Sequence, residues 1–188
     1  MPSPQLPPDA YRALLDASGD DPQRRDLRDT PERAARAHAS FLSGYSDNPL
    51  SLLHSAMEPN TPRHTGPVLL RNLTLYSHCE HHMLPMEGVI HVAYRPGDWI
   101  LGLSKIARAV QALSAQLQSQ ERLTREIADA LEAAAHPEGV VVACVARHHC
   151  MTRRGIRQPE ADTITLEARG IYQTDSAARQ EILSLFRL

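Results

Sequence analysis

The sequence predicts an α+β protein built on an antiparallel four-stranded sheet, in the order strand, strand, helix, helix, strand, strand, with its helices on one face. Three observations lead there. Two alternating stretches rich in β-branched and aromatic residues, Pro67 to Ser77 and Gly88 to Arg95, are neighbours in the chain. Two apolar stripes at helical spacing follow them directly. Two further strand-like stretches, Gly139 to Met151 and Asp162 to Tyr172, then close the series. Residues 1–66 have a different character, so the expected organisation is an N-terminal helical extension and loop at 1–66 and one sheet-bearing unit at 67–188.

Met1 to Pro8 is proline-rich and is expected to fray. A short helix fits Ala10 to Ala17. Thr30-Pro31-Glu32 has the form of a helix start, with Thr30 as N-cap and Pro31 in the first helical position. Ala34, Ala37, Phe41 and Tyr45 follow at helical spacing and Gly44 sits near the end, so this helix is expected to serve packing. Asp47 to Gly66 reads as a loop with one helical turn at Leu50 to Leu53. Pro96-Gly97-Asp98 is a turn. Ser104 has the chemistry of an N-cap, and Ile106, Val110, Leu113 and Leu117 form the first apolar stripe. Ser119 is expected to cap the second helix, whose stripe is Leu123, Ile127, Leu131 and Ala134, and His136-Pro137-Glu138-Gly139 ends it. Asp175 can cap a last helix that runs to Leu188 with Ile182, Leu185 and Phe186 as its apolar face.

At 188 residues, with 42% hydrophobic residues and a net charge of -2, the chain fits one soluble globular domain and not a disordered or nucleic-acid-coating protein. The longest apolar run, Val140 to Ala146, is far short of the about 20 residues a membrane span needs. Three cysteines and no apolar leader point to a reducing, cytoplasmic setting. There is no internal repeat, glycine-rich phosphate loop or basic stripe for nucleic acid.

The chemistry concentrates at Ser77-His78-Cys79-Glu80-His81-His82 and at Arg147-His148-His149-Cys150. Thiolates and imidazoles are the ligands that borderline-soft divalent ions such as zinc prefer. Cys79 and His82 are three apart, within reach of one tight turn. Cys150 is the best third ligand, because on a strand to Met151 it shares a face with His148. Three protein ligands would leave a fourth position open, as in catalytic zinc; a closed structural site with His81 or His148 as fourth ligand, or no metal at all, are the alternatives. Lys105 is the only lysine among 20 basic residues. With Arg108 it lies at the start of a helix, where the amino-terminal N–H groups favour an anion; a pair of solvated charges is the alternative.

Taken together, Asp29-Thr30-Pro31-Glu32-Arg33, Cys79-Glu80-His81-His82, Gly102-Leu103-Ser104-Lys105, Gln118 through Thr124, and His148-His149-Cys150-Met151 with Arg154-Gly155 resemble the successive signatures of GTP cyclohydrolase I, in that family's order and spacing. The resemblance covers about Asp29 to the carboxyl end. It implies a tunnelling fold, a homodecamer with active sites between subunits, and conversion of GTP, with loss of C8 as formate, to 7,8-dihydroneopterin triphosphate in folate or tetrahydrobiopterin synthesis. Carried over by position, it implies Zn2+ on Cys79, His82 and Cys150, and proton transfer by His81 and His148 with Ser104 near the ribose. It further implies guanine recognition by Glu121 with Gln120 beside it, and a triphosphate clamp of Lys105, Arg108 and Arg154. Ala115, Gln116, His149, Arg153, Leu166 and Met86 depart from the family's usual residues. The alternative is a non-catalytic or divergent purine- or pterin-binding paralogue with structural zinc.

Overall fold

A computed structural model describes residues 4–187. The expected fraying of Met1 to Pro8 and the end of the last helix at Leu188 fall in part outside the described residues. In chain order the elements are α1 (Pro8–Ala17), α2 (Thr30–Phe41), a 3-10 turn (Ser43–Ser46), α3 (Pro49–His54), β1 (Met57–Pro59), β2 (Val68–Cys79), β3 (Pro85–Arg95) and β4 (Trp99–Leu101). They continue with α4 (Leu103–Ser114), β5 (Leu117–Gln118), α5 (Gln120–Ala135), β6 (Gly139–His148), α6 (His149–Thr152), β7 (Thr163–Gly170), α7 (Ile171–Thr174) and α8 (Ser176–Phe186).

The main sheet has the strand order β5-β2-β3-β6-β7. Its antiparallel body is β2, β3, β6 and β7, and the short β5 lies parallel to the end of β2, with His78 opposite Leu117 and Cys79 opposite Gln118. The sheet therefore has five strands and not four. β1 and β4 form a separate antiparallel pair, β1 inside the stretch expected to be a loop. Strands of two or three residues carry no periodicity to read.

Helices lie on both faces, which corrects the expectation of one. β6 is apolar on each side: Val140, Val142, Cys144 and Ala146 join the core beneath α4 and α5, while Val141 and Ala143 join a second core with Tyr172, Ile182 and Phe186 of α7 and α8. A strand apolar on both sides needs cover on both. Leu123, Ile127 and Leu131 of α5 are all but fully buried, and each contributes about 1.5–3 kcal/mol relative to exposure.

The caps on α5 and α8 are as the sequence predicts. Ser119 accepts from the Arg122 N–H, and Asp175 accepts from the N–H groups of Ala177 and Ala178. α4 differs: Gly102 is its N-cap, Ser104 lies one residue inside the helix, and Leu117 falls beyond its end, in β5. α2 differs too. Thr30 lies inside the helix behind Asp29, Pro31 and Ala35 are its buried residues, and Ala37 faces solvent. Phe41 and Tyr45 are half-exposed but engaged: Phe41 stacks on His78 with ring centroids 4.8 Å apart, and the Tyr45 hydroxyl accepts from the Leu117 N–H at 3.2 Å. The extension is held also at the 3-10 turn, where the Gly44 N–H donates to Ala115 O at 3.0 Å. A Cβ on Gly44 would lie 1.9 Å from Ala112 O, so only glycine permits that approach.

Candidate metal centre and surrounding site

β2 ends at Cys79, and the chain returns to β3 through a turn tied to that residue. The Cys79 N–H donates to Leu84 O at 2.9 Å, and the Met83 N–H donates to Cys79 O at 2.8 Å. Met83 adopts φ 54, the left-handed conformation that lets so short a turn close. The turn folds His82 back so that its Nδ1 lies 3.9 Å from Cys79 Sγ.

Cys150 reaches the same point by a route the sequence does not predict. β6 stops at His148, where Met86 is its last β3 partner and β7 has already ended its pairing at Ala146. With no neighbour on either side, the chain turns into α6, so Cys150 sits on a helical turn and not on a strand face shared with His148. Ligand atoms of Cys79, His82 and Cys150 lie within 4.8 Å of one another. Neither His81 nor His148 belongs to that group, although His81 Nδ1 is 3.7 Å from Cys79 Sγ.

The three donors fit a zinc ion. Tetrahedral bonds of about 2.0 Å to nitrogen and 2.3 Å to sulfur separate donors by roughly 3.5 to 3.8 Å, close to the Cys79–His82 distance. Burial, then the neighbouring Cys79 thiol, pushes the Cys150 thiol up against ionisation, with Arg154 partly opposing. Two crowded thiols beside an imidazole gain most from a divalent cation, which draws off their protons. Cys144, the third cysteine, is inert by contrast: burial pushes its thiol up to about 12.

Behind the metal group stands a buried amide. Gln120, the first residue of α5, is 1% exposed. Its Nε2 donates to Cys144 O at 3.0 Å and Thr163 O at 2.9 Å, and its Oε1 is 2.7 Å from His148 Nε2. Burial lowers the affinity of His148 for a proton, and the charge of Glu121 opposes that shift. Glu121 itself is exposed in the first turn of α5.

Glu80, between two members of the site, accepts from Arg122 at 2.8 Å. Arg122 also donates to Gln118 Oε1 at 2.9 Å and to Leu117 O. Neither Arg122 nor Gln118 stood out from the sequence as a site residue. A buried glutamine and a carboxylate–guanidinium pair are ordinary in any helix, and only the fold brings them behind the metal turn.

Ser104, Lys105 and Arg108 occupy the first turns of α4, and among the described residues their side chains join no hydrogen bond or ion pair. Arg154 is exposed in the loop after α6, beside Cys150. A cavity of about 1060 Å³ lies elsewhere, between α4 and the sheet near Phe41, His78 and Gln111; of the proposed site residues it takes only Arg108. No helix among the described residues is long and apolar enough to cross a membrane.

Comparison with known proteins points one way. A family profile described as GTP cyclohydrolase I matches residues 8–187. A protein of Streptococcus thermophilus named GTP cyclohydrolase 1 is 46% identical over 179 residues, covering 95% of this chain and 94% of its own. Proteins of the same name are 43% identical in Bacillus cytotoxicus, covering 95% of this chain and 93% of theirs, and 43% identical in Streptococcus agalactiae, covering 100% and 99%.

Proposed function

This chain belongs to the GTP cyclohydrolase I family, and we propose from that membership that it is a zinc-dependent GTP cyclohydrolase. It opens the purine of GTP at C8, releases formate and rearranges the product to 7,8-dihydroneopterin triphosphate, the entry to folate-type pterin synthesis. The observation that carries the reading is the convergence of Cys79, His82 and Cys150, from two distant segments, within 4.8 Å. In this reading residues 67–188 are a catalytic unit of the tunnelling fold, 1–66 are its helical extension, and the enzyme assembles as a homodecamer.

Cys79, His82 and Cys150 would hold the zinc, which supplies Lewis acidity and a nucleophile available at neutral pH. His148 gives a proton to the base as the ring opens, a task suited to an imidazole. His81, exposed at the rim of the turn, serves later proton transfers, with Ser104 at the ribose. Glu121 accepts from the guanine N–H groups; its exposure supports that role, because among the described residues its oxygens join no hydrogen bond or ion pair. Lys105, Arg108 and Arg154 bind the triphosphate. The unpaired state of the Lys105 and Arg108 side chains, beside the first N–H groups of α4, supports an anion site there.

Incubation of the zinc-loaded protein with GTP should yield formate and a pterin, and a chelated control should yield neither. His148→Ala should keep its zinc and lose about 10²-fold or more in formate release. GTP bound tightly without any formate from the wild type would overturn the reading.

A further inference from the structure

We infer that the side chain of Gln120 positions His148 and is not itself a contact for the base, and that it makes Nδ1 of His148 the nitrogen that moves the proton. The inference rests on the assignment of His148 to proton transfer. Its physical basis is the accounting of one buried amide.

Gln120 is 1% exposed, and both ends of its amide are taken by the chain itself. Backbone carbonyls can only accept, so the atom facing Cys144 O at 3.0 Å and Thr163 O at 2.9 Å must be the amino group, with its two hydrogens directed one to each. Reversing the amide would set its oxygen against two carbonyl oxygens. The oxygen of Gln120 therefore faces His148, 2.7 Å from Nε2, and an amide oxygen can only accept. Nε2 must then carry a hydrogen whether the ring is neutral or charged. Nδ1 is left as the one ring nitrogen free to give a proton and take it back.

The carbonyls that orient Gln120 come from two strands. Cys144 lies in β6 and Thr163 at the start of β7. They pair not with each other but with Thr165 and Ala146 respectively, so the amide bridges the ladder at its end. The Thr124 hydroxyl, one turn along α5, bonds the Thr165 hydroxyl at 2.6 Å and Gln120 O at 2.7 Å, which fastens the start of α5 to the same strands. With its amino hydrogens on two carbonyls and its oxygen on His148, the Gln120 side chain is committed to its own fold. Adjacent Glu121, pointing outward, keeps its oxygens free of any bond among the described residues. Two neighbouring residues thus divide the work: Glu121 meets the substrate and Gln120 sets the imidazole. A positioned imidazole is worth more to a reaction than a free one, because the alternative tautomer presents a lone pair where a hydrogen is required.

The test uses the zinc-loaded full chain with isotope-labelled histidine. Solid-state nitrogen NMR reads the tautomer, and the His148 signals are identified by their loss in His148→Ala. The wild type should show His148 protonated at Nε2; a neutral ring protonated at Nδ1 overturns the inference, and this reading needs no activity and no variant of Gln120. In Gln120→Leu the His148 signals should split between tautomers. Formate release should fall in kcat by about 10²-fold, with zinc content and GTP affinity retained. Weakened GTP binding with an unchanged His148 spectrum would mean that Gln120 contacts the base and would equally overturn it. Formate release by the wild type, measured alongside, tests the GTP reading separately.

Discussion

Arg122 joins the metal turn to two other elements through one guanidinium. It meets Glu80 in the turn, Gln118 Oε1 and Leu117 O in β5, and it stands on α5. Glu80 also donates its N–H to Gln118 O at 3.0 Å, so the turn is held by backbone and side chain together. The Arg122–Glu80 pair is about one-third exposed on both sides, and its direct contribution to stability is small. Its effect belongs in ligand orientation, where removal of a supporting residue costs about 10- to 100-fold in metal affinity. Arg122→Ala should therefore weaken zinc binding about tenfold, read by competition with a chromophoric chelator, with little change in unfolding temperature; unchanged affinity would remove Arg122 from the site's support. At the same scale, several residues singled out in the sequence as unusual have local partners. Gln116 Nε2 donates to Gly44 O at 3.2 Å, so an amide braces the 3-10 turn. His149 sits 3.3 Å from Glu87, and Met86 is fully buried in the core. Nothing in the structure explains Arg153.

Among the elements, α8 rests on a buried histidine. The His91 ring lies 5.2 Å from that of Phe186, its Nδ1 has no hydrogen-bond partner among the described residues, and Arg71 on β2 adds positive charge nearby while donating to Leu185 O at 2.9 Å. Burial first, and Arg71 second, lower the proton affinity of His91 in the fold. The unfolded chain regains an ordinary histidine near 6.5, so below that pH it binds a proton that the native state refuses. This contribution to stability is complete above about pH 6.5 and is lost as pH falls towards the lower native value, at no more than about 1.4 kcal/mol per pH unit. His91→Leu should lose less stability than the wild type between about pH 7.5 and pH 5.5 in denaturant titrations; equal losses would show that His91 is silent. The elements also mark how far the sequence could be read. Alternation located β2, β3, β6 and β7, and Ser119 and Asp175 announced α5 and α8, because those signals are local. The turn of α6 was hidden: Ala146, His148 and Cys150 keep a strand's rhythm, and what ends the strand is the lack of a neighbour. Site chemistry followed the same division. Cys79, His82 and Cys150 were legible from residue type, whereas the buried amide of Gln120 and the pair Glu80–Arg122 gain meaning only from distant contacts.

For the whole molecule the question is what covers the ends of the sheet. β5 pairs only with His78 and Cys79, so most of β2 presents an open edge, and β7 is the other outer strand. Tyr76, Ile164 and Leu166 stand exposed near those edges at 72%, 59% and 42%. Open edges flanked by apolar side chains invite pairing with another chain, which supports the assembly of copies edge to edge. Ile164→Glu combined with Leu166→Glu should shift sedimentation towards smaller species while preserving the circular dichroism of the fold; an unchanged sedimentation coefficient would take the β7 face out of the assembly. Solitary Lys105 has a bearing at this scale as well. Reagents that acylate side-chain amines find a single address in each copy of the chain, partly sheltered in the first turn of α4. A label there sits at the same position in every copy of an assembly, so protection of Lys105 by an added anion becomes countable by the mass of the one peptide that carries it, without any turnover taking place.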